Sequence, residues 1–362
     1  MKKLLISLCA CLALAACDNQ KSDKPVVKIG ATLSLTGPFS EVGDSAKEAI
    51  NMALKKWKSK DTKYRYEIFF ENDSGNPKQA TLNAQNFIST KNVNAVLSVF
   101  GIVDRSVDDI ANKNKVISLS CSYGKLTVPE YGINNCVQNK QVESILVPKL
   151  KKEGIKSVAL VMSETANSRV VGDYFEKALP EHGIKVVAHE KYTMDVRDMH
   201  ASILKMETKK PDIYLLFANS PLTDIFIKQY KEMTGKNNIS SFGAFPEMNP
   251  SMYKSVEDLW TVYVISSVDE FEANFDKVTK GKRVKACTAN SYDNIDVLIW
   301  AFENTPVKEG QTVPDNADVI KTIRSLKNYE GMAGTLDFST GVAAPDAQLR
   351  MYHNGKFIKI TD

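Results

Sequence analysis

Val26-Val27-Lys28-Ile29-Gly30-Ala31-Thr32-Leu33-Ser34-Leu35, followed at once by Thr36-Gly37-Pro38, is a mostly apolar run cut off by turn residues. Such a run reads as a strand buried on both faces. From Gly43 to Trp57 the period changes, with Ala46, Ile50, Ala53, Leu54 and Trp57 on one face of a predicted helix. Tyr66 to Phe70 is the next strand, ending at Asn72-Asp73-Ser74-Gly75, and Lys78 to Ile88 the next helix. Ala95 to Phe100, Asp104 to Asn114 and Val116 to Leu119 read as strand, helix and strand. Short apolar strands alternating with helices predict a parallel sheet covered on both faces.

The pattern then restarts. Helices are predicted at Val142 to Lys152, Val170 to Leu179, Met199 to Thr208 and Thr223 to Met233. They alternate with strands at Ser157 to Met162, Lys185 to Ala188, Ile213 to Phe217, Ser241 to Ala244 and Trp260 to Ser266. Two similar halves fit two α/β lobes, each a doubly wound parallel sheet. Helices at Phe271 to Lys280, Ser291 to Asn304 and Asp318 to Leu326 follow. The tail turns to strands at Gly334 to Phe338, Gln348 to Tyr352 and Lys356 to Ile360, with an Asn354-Gly355 hairpin turn between the last two.

Composition excludes several classes. Hydrophobic residues at 43% and charged residues at 25% are ordinary for a globular chain. The formal net charge is only +4, which argues against a nucleic-acid partner. The Lys-rich stretches Lys55 to Lys63 and Lys277 to Lys285 read as solvated helix ends.

The first residues are a leader. Lys2 and Lys3 precede an apolar run from Leu4 to Ala16. That run is too short for a bilayer, which takes about twenty residues, so residues 1–16 read as a signal peptide. It ends in Leu14-Ala15-Ala16-Cys17, which resembles a bacterial lipobox. The resemblance implies lipidation of Cys17, a tether over residues 17–25 and, from Asp18, retention at the periplasmic face of the inner membrane. Cys9 and Cys11 leave with the leader. Cys121 and Cys136 bracket a stretch with Gly124, Pro129 and Gly132, which suits a disulfide in an oxidising compartment. Cys287 would then be an unpaired, buried thiol.

Three pieces, in order and properly separated, carry a family resemblance. The first is Val27-Lys28-Ile29-Gly30 with Leu35-Thr36-Gly37-Pro38-Phe39 and Gly43-Asp44. The second is Asn72-Asp73-Ser74-Gly75-Asn76-Pro77-Lys78-Gln79-Ala80. The third is Gly331-Met332-Ala333-Gly334-Thr335-Leu336-Asp337-Phe338 through Asn354-Gly355-Lys356-Phe357. Over Val26 to Ile360 the chain resembles type I periplasmic solute-binding proteins that serve branched-chain amino-acid-type ABC transporters. The resemblance implies two lobes joined by a three-segment hinge, the periplasmic binding protein-like I fold. The crossings are expected near Asn139, Ser266 and Gly331. Residues 26–139 and 267–330 would form lobe 1, and 140–266 and 331–362 lobe 2.

In open α/β sheets ligands sit beyond the carboxyl ends of the strands. The loops there are Leu35 to Gly43, Asp73 to Pro77, Phe100 to Arg105 and Ser120 to Gly124, the last with Tyr123. In the second half they are Ser163 to Ser168, with Asn167, then Asn219 to Thr223 and Phe245 to Asn249. Phe39 reads equally as cleft mouth and as core packing. By resemblance, Ser120 and Ser122 match the segment whose strand-end carbonyl and hydroxyl hold the ligand's amino and carboxyl groups. Gly101 and Ile102 match the loop that binds the carboxylate, with Gly101 standing where the family has serine. Gly124 replaces a threonine, and Asn219 falls where an aromatic usually sits. Glu247 lies close to the acidic residue that pairs with the ligand ammonium, with the spacing shifted. These departures count against leucine-type specificity.

No Gly-x-Ser-x-Gly, P-loop or His-Glu-x-x-His motif is present, and the four histidines suit no metal motif. The expectation is a monomeric receptor, without cofactor, metal or catalysis. It would capture an amino acid or other small carboxylate by hinge closure and dock on a membrane permease. A sensory or cell-wall-regulating lipoprotein on the same fold, or a secreted hydrolase, are the rival readings.

Overall fold

The computed structural model describes residues 24–37, 39–193, 195–218, 221–242, 257–264, 266–354 and 356–360. The expected leader and Cys17 lie outside these residues.

The opening stretch forms β1 (Val26–Leu33). Val27, Ile29, Ala31 and Leu33 are fully buried on one face. On the other face Gly30 leaves room for Phe87, whose ring would lie 2.4 Å from any Cβ there. Burying that phenylalanine contributes about 2–3 kcal/mol, and the absence of a side chain at position 30 makes it possible. Helix α1 (Ser40–Lys58) returns across the sheet. Gly43 in its first turn sits where a Cβ would come 2.1 Å from the Ser34 carbonyl oxygen.

The chain continues through β2 (Arg65–Asn72), α2 (Pro77–Asn86), β3 (Ala95–Val99), α3 (Gly101–Lys113), β4 (Ile117–Cys121) and β5 (Gly132–Asn135). Helix α2 starts with Pro at its first position and an Asn76 side chain that accepts the Lys78 N–H at 2.9 Å. It then passes through α4 (Asn139–Lys152), β6 (Ser157–Ser163), α5 (Ala166–Glu181), β7 (Lys185–Tyr192) and α6 (His200–Glu207). Next come β8 (Ile213–Phe217), α7 (Leu222–Thr234), β9 (Ile239–Phe242) and β10 (Trp260–Tyr263). Helices α8 (Asp269–Thr279), α9 (Thr288–Asn304) and α10 (Asn316–Arg324) precede the short strands β11 (Tyr329–Gly331), β12 (Gly334–Leu336) and β13 (Val342–Ala343). The closing hairpin is β14 (Gln348–His353) and β15 (Lys356–Lys359).

Two parallel-sheet lobes result. One sheet runs β13-β5-β4-β3-β1-β2, with every pairing parallel. The other runs β15-β14-β10-β9-β8-β6-β7, with only the β14 and β15 ladders antiparallel. The same winding occurs twice: β1 lies between β2 and β3, and β6 between β7 and β8. The strand order therefore reverses beside β1 and beside β6, which opens a crevice at the carboxyl ends there.

Helix α9 is buried along almost its whole length and packs on α1. Asp296 joins the two helices, accepting from Trp57 Nε1 at 2.7 Å and Lys56 Nζ at 2.9 Å.

Two expectations change. Val342–Ala343 pairs with Asn134–Asn135, so it belongs to the first sheet. The last passage between sheets therefore falls between Ala343 and Gln348, not near Gly331. Gly331 instead ends β11, and the turn that follows is held by Asp293, which accepts the Met332 and Ala333 N–H groups at 2.7 and 2.8 Å. The second change concerns cysteines. The disulfide joins Cys121 to Cys287, with Cα atoms 5.8 Å apart, and Cys136 is the buried free thiol. The expected Cys121–Cys136 pair fails because α9 brings its first turn onto the end of β4, a contact between residues 166 positions apart.

Candidate functional site

In the first lobe the crevice beside β1 is lined by an aromatic pair. Phe39 packs on Phe100 with ring centroids 5.0 Å apart. Phe39 is half-buried and lies against Gly75, so it stands at the strand-end edge and not in the core. Phe100 holds a positive φ of 79° just before α3. Such a conformation is unfavourable for an aromatic residue, and the adjacent β3–helix junction fixes it.

The β1 and β2 loops are tied together. Asp73 accepts from Ser34 Oγ at 2.7 Å, Thr32 Oγ1 at 3.0 Å and the Gly75 N–H at 2.8 Å. Asn72 Oδ1 accepts the Leu35 and Ser74 N–H groups. These two side chains are fully engaged in shaping the edge.

The segment after β4 is held by Asn134 on β5. Its Oδ1 accepts the Ser122 N–H at 2.9 Å, and its Nδ2 donates to the carbonyls of Ser122 and Lys125 at 3.0 and 3.2 Å. Gln138 Nε2 also donates to the Ser122 carbonyl, at 3.2 Å. Ser120 is fully buried inside the sheet. Its hydroxyl donates to the Ile133 carbonyl at 3.1 Å and accepts from Lys125 Nζ at 2.8 Å, while its carbonyl accepts from Asn294. Lys125 is also paired with Asp108.

Gly101 opens α3 at the surface, and its Cα faces Ser122. A Cβ at position 101 would lie 2.6 Å from Ser122 Oγ. A side chain at position 101, such as the serine expected there from the resemblance, would require Ser122 Oγ to move. Ser122 Oγ itself occupies that space.

Beneath these residues lies Asp104, about 1% exposed. Neither of its carboxylate oxygens makes a well-formed hydrogen bond. Burial pushes its pKa up to about 8, with Lys125, Ser98 and Ser122 only partly offsetting that cost.

The second lobe supplies hydroxyls. Thr165 caps α5 by accepting the Ser168 N–H at 3.1 Å, and Ser168 Oγ bonds to Ser163 and Thr165 at 2.8 and 2.9 Å. Thr223 Oγ1 donates to the Ala218 carbonyl at 2.6 Å. The two lobes touch where the Tyr123 ring meets the Phe217 ring, 5.5 Å between centroids. Tyr123 follows β4 of the first sheet, and Phe217 ends β8 of the second. The carboxyl edges of the two sheets therefore face each other. The Tyr123 hydroxyl is buried, finds no partner among the described residues, and has its ionisation pushed well up by that burial.

The structure thus gathers Phe39, Gly101, Ser122 and Tyr123 at one edge, and places Ser120 behind it. Asn219 and Glu247 lie outside the described residues, as do the side chains of Ile102 and Asn167. Asn134, Gln138 and Phe217 were missed by sequence reading, while Phe100 and Asp104 fall in a strand-end loop that it marked without singling them out. Asn134 carried no signal, because the four-residue β5 has no apolar alternation to reveal it.

The four histidines each face a carboxylate of the second lobe: His182 Glu143, His189 Glu176, His200 Asp198 and His353 Asp258. The Glu257–Asp258–His353 group, with Asp258 and His353 exposed and Glu257 half-buried, precedes β10 and ends β14, opposite the cleft edge.

A two-lobed chain with facing carboxyl edges has the architecture of a solute-trapping receptor. Residues 26–356 match the periplasmic binding protein family, and the chain belongs to it, among the type I ABC substrate-binding proteins of branched-chain amino-acid type. The Leu/Ile/Val-binding protein BraC3 of Rhizobium johnstonii is 22% identical over 339 residues, covering 87% of this chain and 90% of that one. A leucine-binding protein LivK from Thermotoga maritima superposes with a TM-score of 0.80 at 22% identity, over 92% of this chain and 98% of that one. An ABC-transporter solute-binding protein from R. palustris, solved with 4-hydroxybenzoate, gives a TM-score of 0.80 at 18% identity, over 93% and 96%. The chain is therefore an extracytoplasmic ligand-binding receptor of the ABC-transporter kind. Among the described residues no helix is long and apolar enough to cross a membrane.

Proposed function

We propose that the protein captures a small carboxylate, an amino acid or an aromatic acid, between its two carboxyl edges and hands it unchanged to a membrane permease. The observation that carries this reading is the Tyr123–Phe217 contact, which joins the strand ends of opposite sheets. Closure about the crossings would surround a solute with Phe39, Gly101, Ser122 and Tyr123 from one side and the α5 and α7 starts from the other. Ligand favours the closed form because only that form contacts it from both sides.

The Ser122 carbonyl already accepts two amide N–H groups, so it offers little to a ligand ammonium. The Phe39–Phe100 and Tyr123–Phe217 pairs supply flat apolar walls. Both features favour an aromatic or otherwise planar carboxylate over leucine, and one solved neighbour holds 4-hydroxybenzoate.

The same reading makes the protein a monomer, held at the inner membrane by lipid on Cys17. Leu14-Ala15-Ala16-Cys17 supports the anchor.

A thermal-shift screen of amino acids, benzoates and amides tests the reading. A ligand at about a hundred times its dissociation constant adds roughly 2.7 kcal/mol of stability. Recovery of that ligand chemically intact is the expected second result. No shift with any carboxylate, or turnover of one, overturns the proposal.

A further inference from the structure

The sulfurs of Cys121, Cys136 and Cys287 all lie within 4.8 Å of one another, and all three residues are buried. Two are joined and the third is a free thiol. Cys121 ends β4 and leads directly into Ser122 and Tyr123. Cys136 follows β5 and enters the first passage between the lobes, its N–H donating to the Ala343 carbonyl at 3.1 Å. Since β4 and β5 are parallel neighbours with Ser120 beside Asn134, Cys121 and Cys136 leave adjacent strand ends almost in step. Cys287 approaches from α9, 166 residues along the chain from Cys121.

We infer that this cluster is a thiol–disulfide exchange site, in which Cys136 attacks the Cys121 sulfur and moves the cross-link from Cys121–Cys287 to Cys121–Cys136. The step balances within the chain. Cys136 loses its proton and forms the new S–S bond, the old bond breaks, and the Cys287 thiolate leaves and takes up a proton. No external oxidant is consumed. In the starting pairing the wall strand β4 is fastened to α9. In the product it is fastened to the segment that enters the hinge, and α9 is released.

Exchange is held in check while the cluster is closed. Burial, with the Asp104 carboxyl nearby, pushes the Cys136 thiol well above its ordinary range, and Tyr123 packs beside it. The attacking thiolate forms only when water reaches the junction, so exchange should follow opening of the site.

The test is disulfide mapping of the full chain. The protein is held in mild urea at pH 8.5 with a glutathione redox buffer, quenched with acid and alkylated, and its peptides are analysed by mass spectrometry. The expected result is the Cys121–Cys136 peptide alongside Cys121–Cys287, with the former absent in Cys136→Ser. Cys287→Ser, oxidised with glutathione disulfide, should form Cys121–Cys136 as its main cross-link. The wild-type mapping stands by itself if that variant folds poorly. Wild-type protein that keeps only Cys121–Cys287, with Cys136 alkylated throughout, overturns the inference.

Discussion

Asn134 grips Ser122 by both of its backbone polar groups, accepting its N–H at 2.9 Å and donating to its carbonyl at 3.0 Å. One side chain on a four-residue strand therefore sets the position of the loop that carries Ser122 and Tyr123. Replacing Asn134 with Leu leaves the Ser122 N–H buried without a partner. Loss of about 2–4 kcal/mol of stability is expected in urea denaturation, with ligand affinity falling about tenfold or more. Unchanged affinity in a folded N134L protein would remove the loop from the site.

Gly101 and Ser122 should be energetically coupled. Gly101→Ala places a Cβ 2.6 Å from Ser122 Oγ, a clash worth about 1–3 kcal/mol. Ser122→Ala removes that oxygen and leaves the next contact at 3.9 Å. The double variant should recover most of the loss, because alanine is otherwise favoured over glycine in a helix. A double-mutant cycle on melting temperature reads this directly, and additive effects would contradict the packing described.

The Tyr123 hydroxyl predicts opposite signs for stability and binding. It is buried with no partner among the described residues. Tyr123→Phe should leave the empty protein as stable as before, or up to about 1 kcal/mol more stable. If the hydroxyl awaits the ligand, the same change weakens binding about tenfold by calorimetry.

Asp104 predicts a pH slope. Its pKa in the folded protein is pushed to about 8, and that of Asp293 to about 7, both by burial and both from a usual value of 3.8. Between that value and the raised ones the folded state holds more protons than the unfolded chain, so stability falls as pH rises. Urea denaturation should give a lower unfolding free energy at pH 8 than at pH 5, by at least about 1 kcal/mol. Asp104→Asn should flatten the part of the slope above pH 7. Equal stability of wild type at the two pH values would contradict the burial of both carboxyls as ionisable groups.

On the proposed lipid anchor, Cys17→Ser should abolish acyl labelling, and the same variant behind an ordinary cleavable secretory leader should leave the membrane fraction. Retention of the variant at the membrane would mean that another feature anchors it.

The alternation of strands and helices was legible because a strand covered on both faces must be apolar throughout and its helices must not be. Val26–Leu33 and Ala95–Val99 obey that rule and were read within about two residues. Strands β5 and β13 were not, since Gly132-Ile133-Asn134-Asn135 and the two-residue Val342–Ala343 bury polar and small residues through hydrogen bonds that only neighbouring strands supply. Among the cleft residues, the strand-end rule located Phe39, Gly101, Ser122 and Tyr123. It could not distinguish Ser120, two residues before Ser122, whose hydroxyl is consumed inside the sheet.

The sequence by itself determined the two-lobed winding and which loops crown the strands, because periodicity and turn residues are local properties of the chain. Tertiary structure alone decided that Cys121 meets Cys287, that Asn134 fastens Ser122, and that Tyr123 meets Phe217. Each of those contacts joins residues brought together by packing of separate elements, and no local pattern encodes where such elements come to rest.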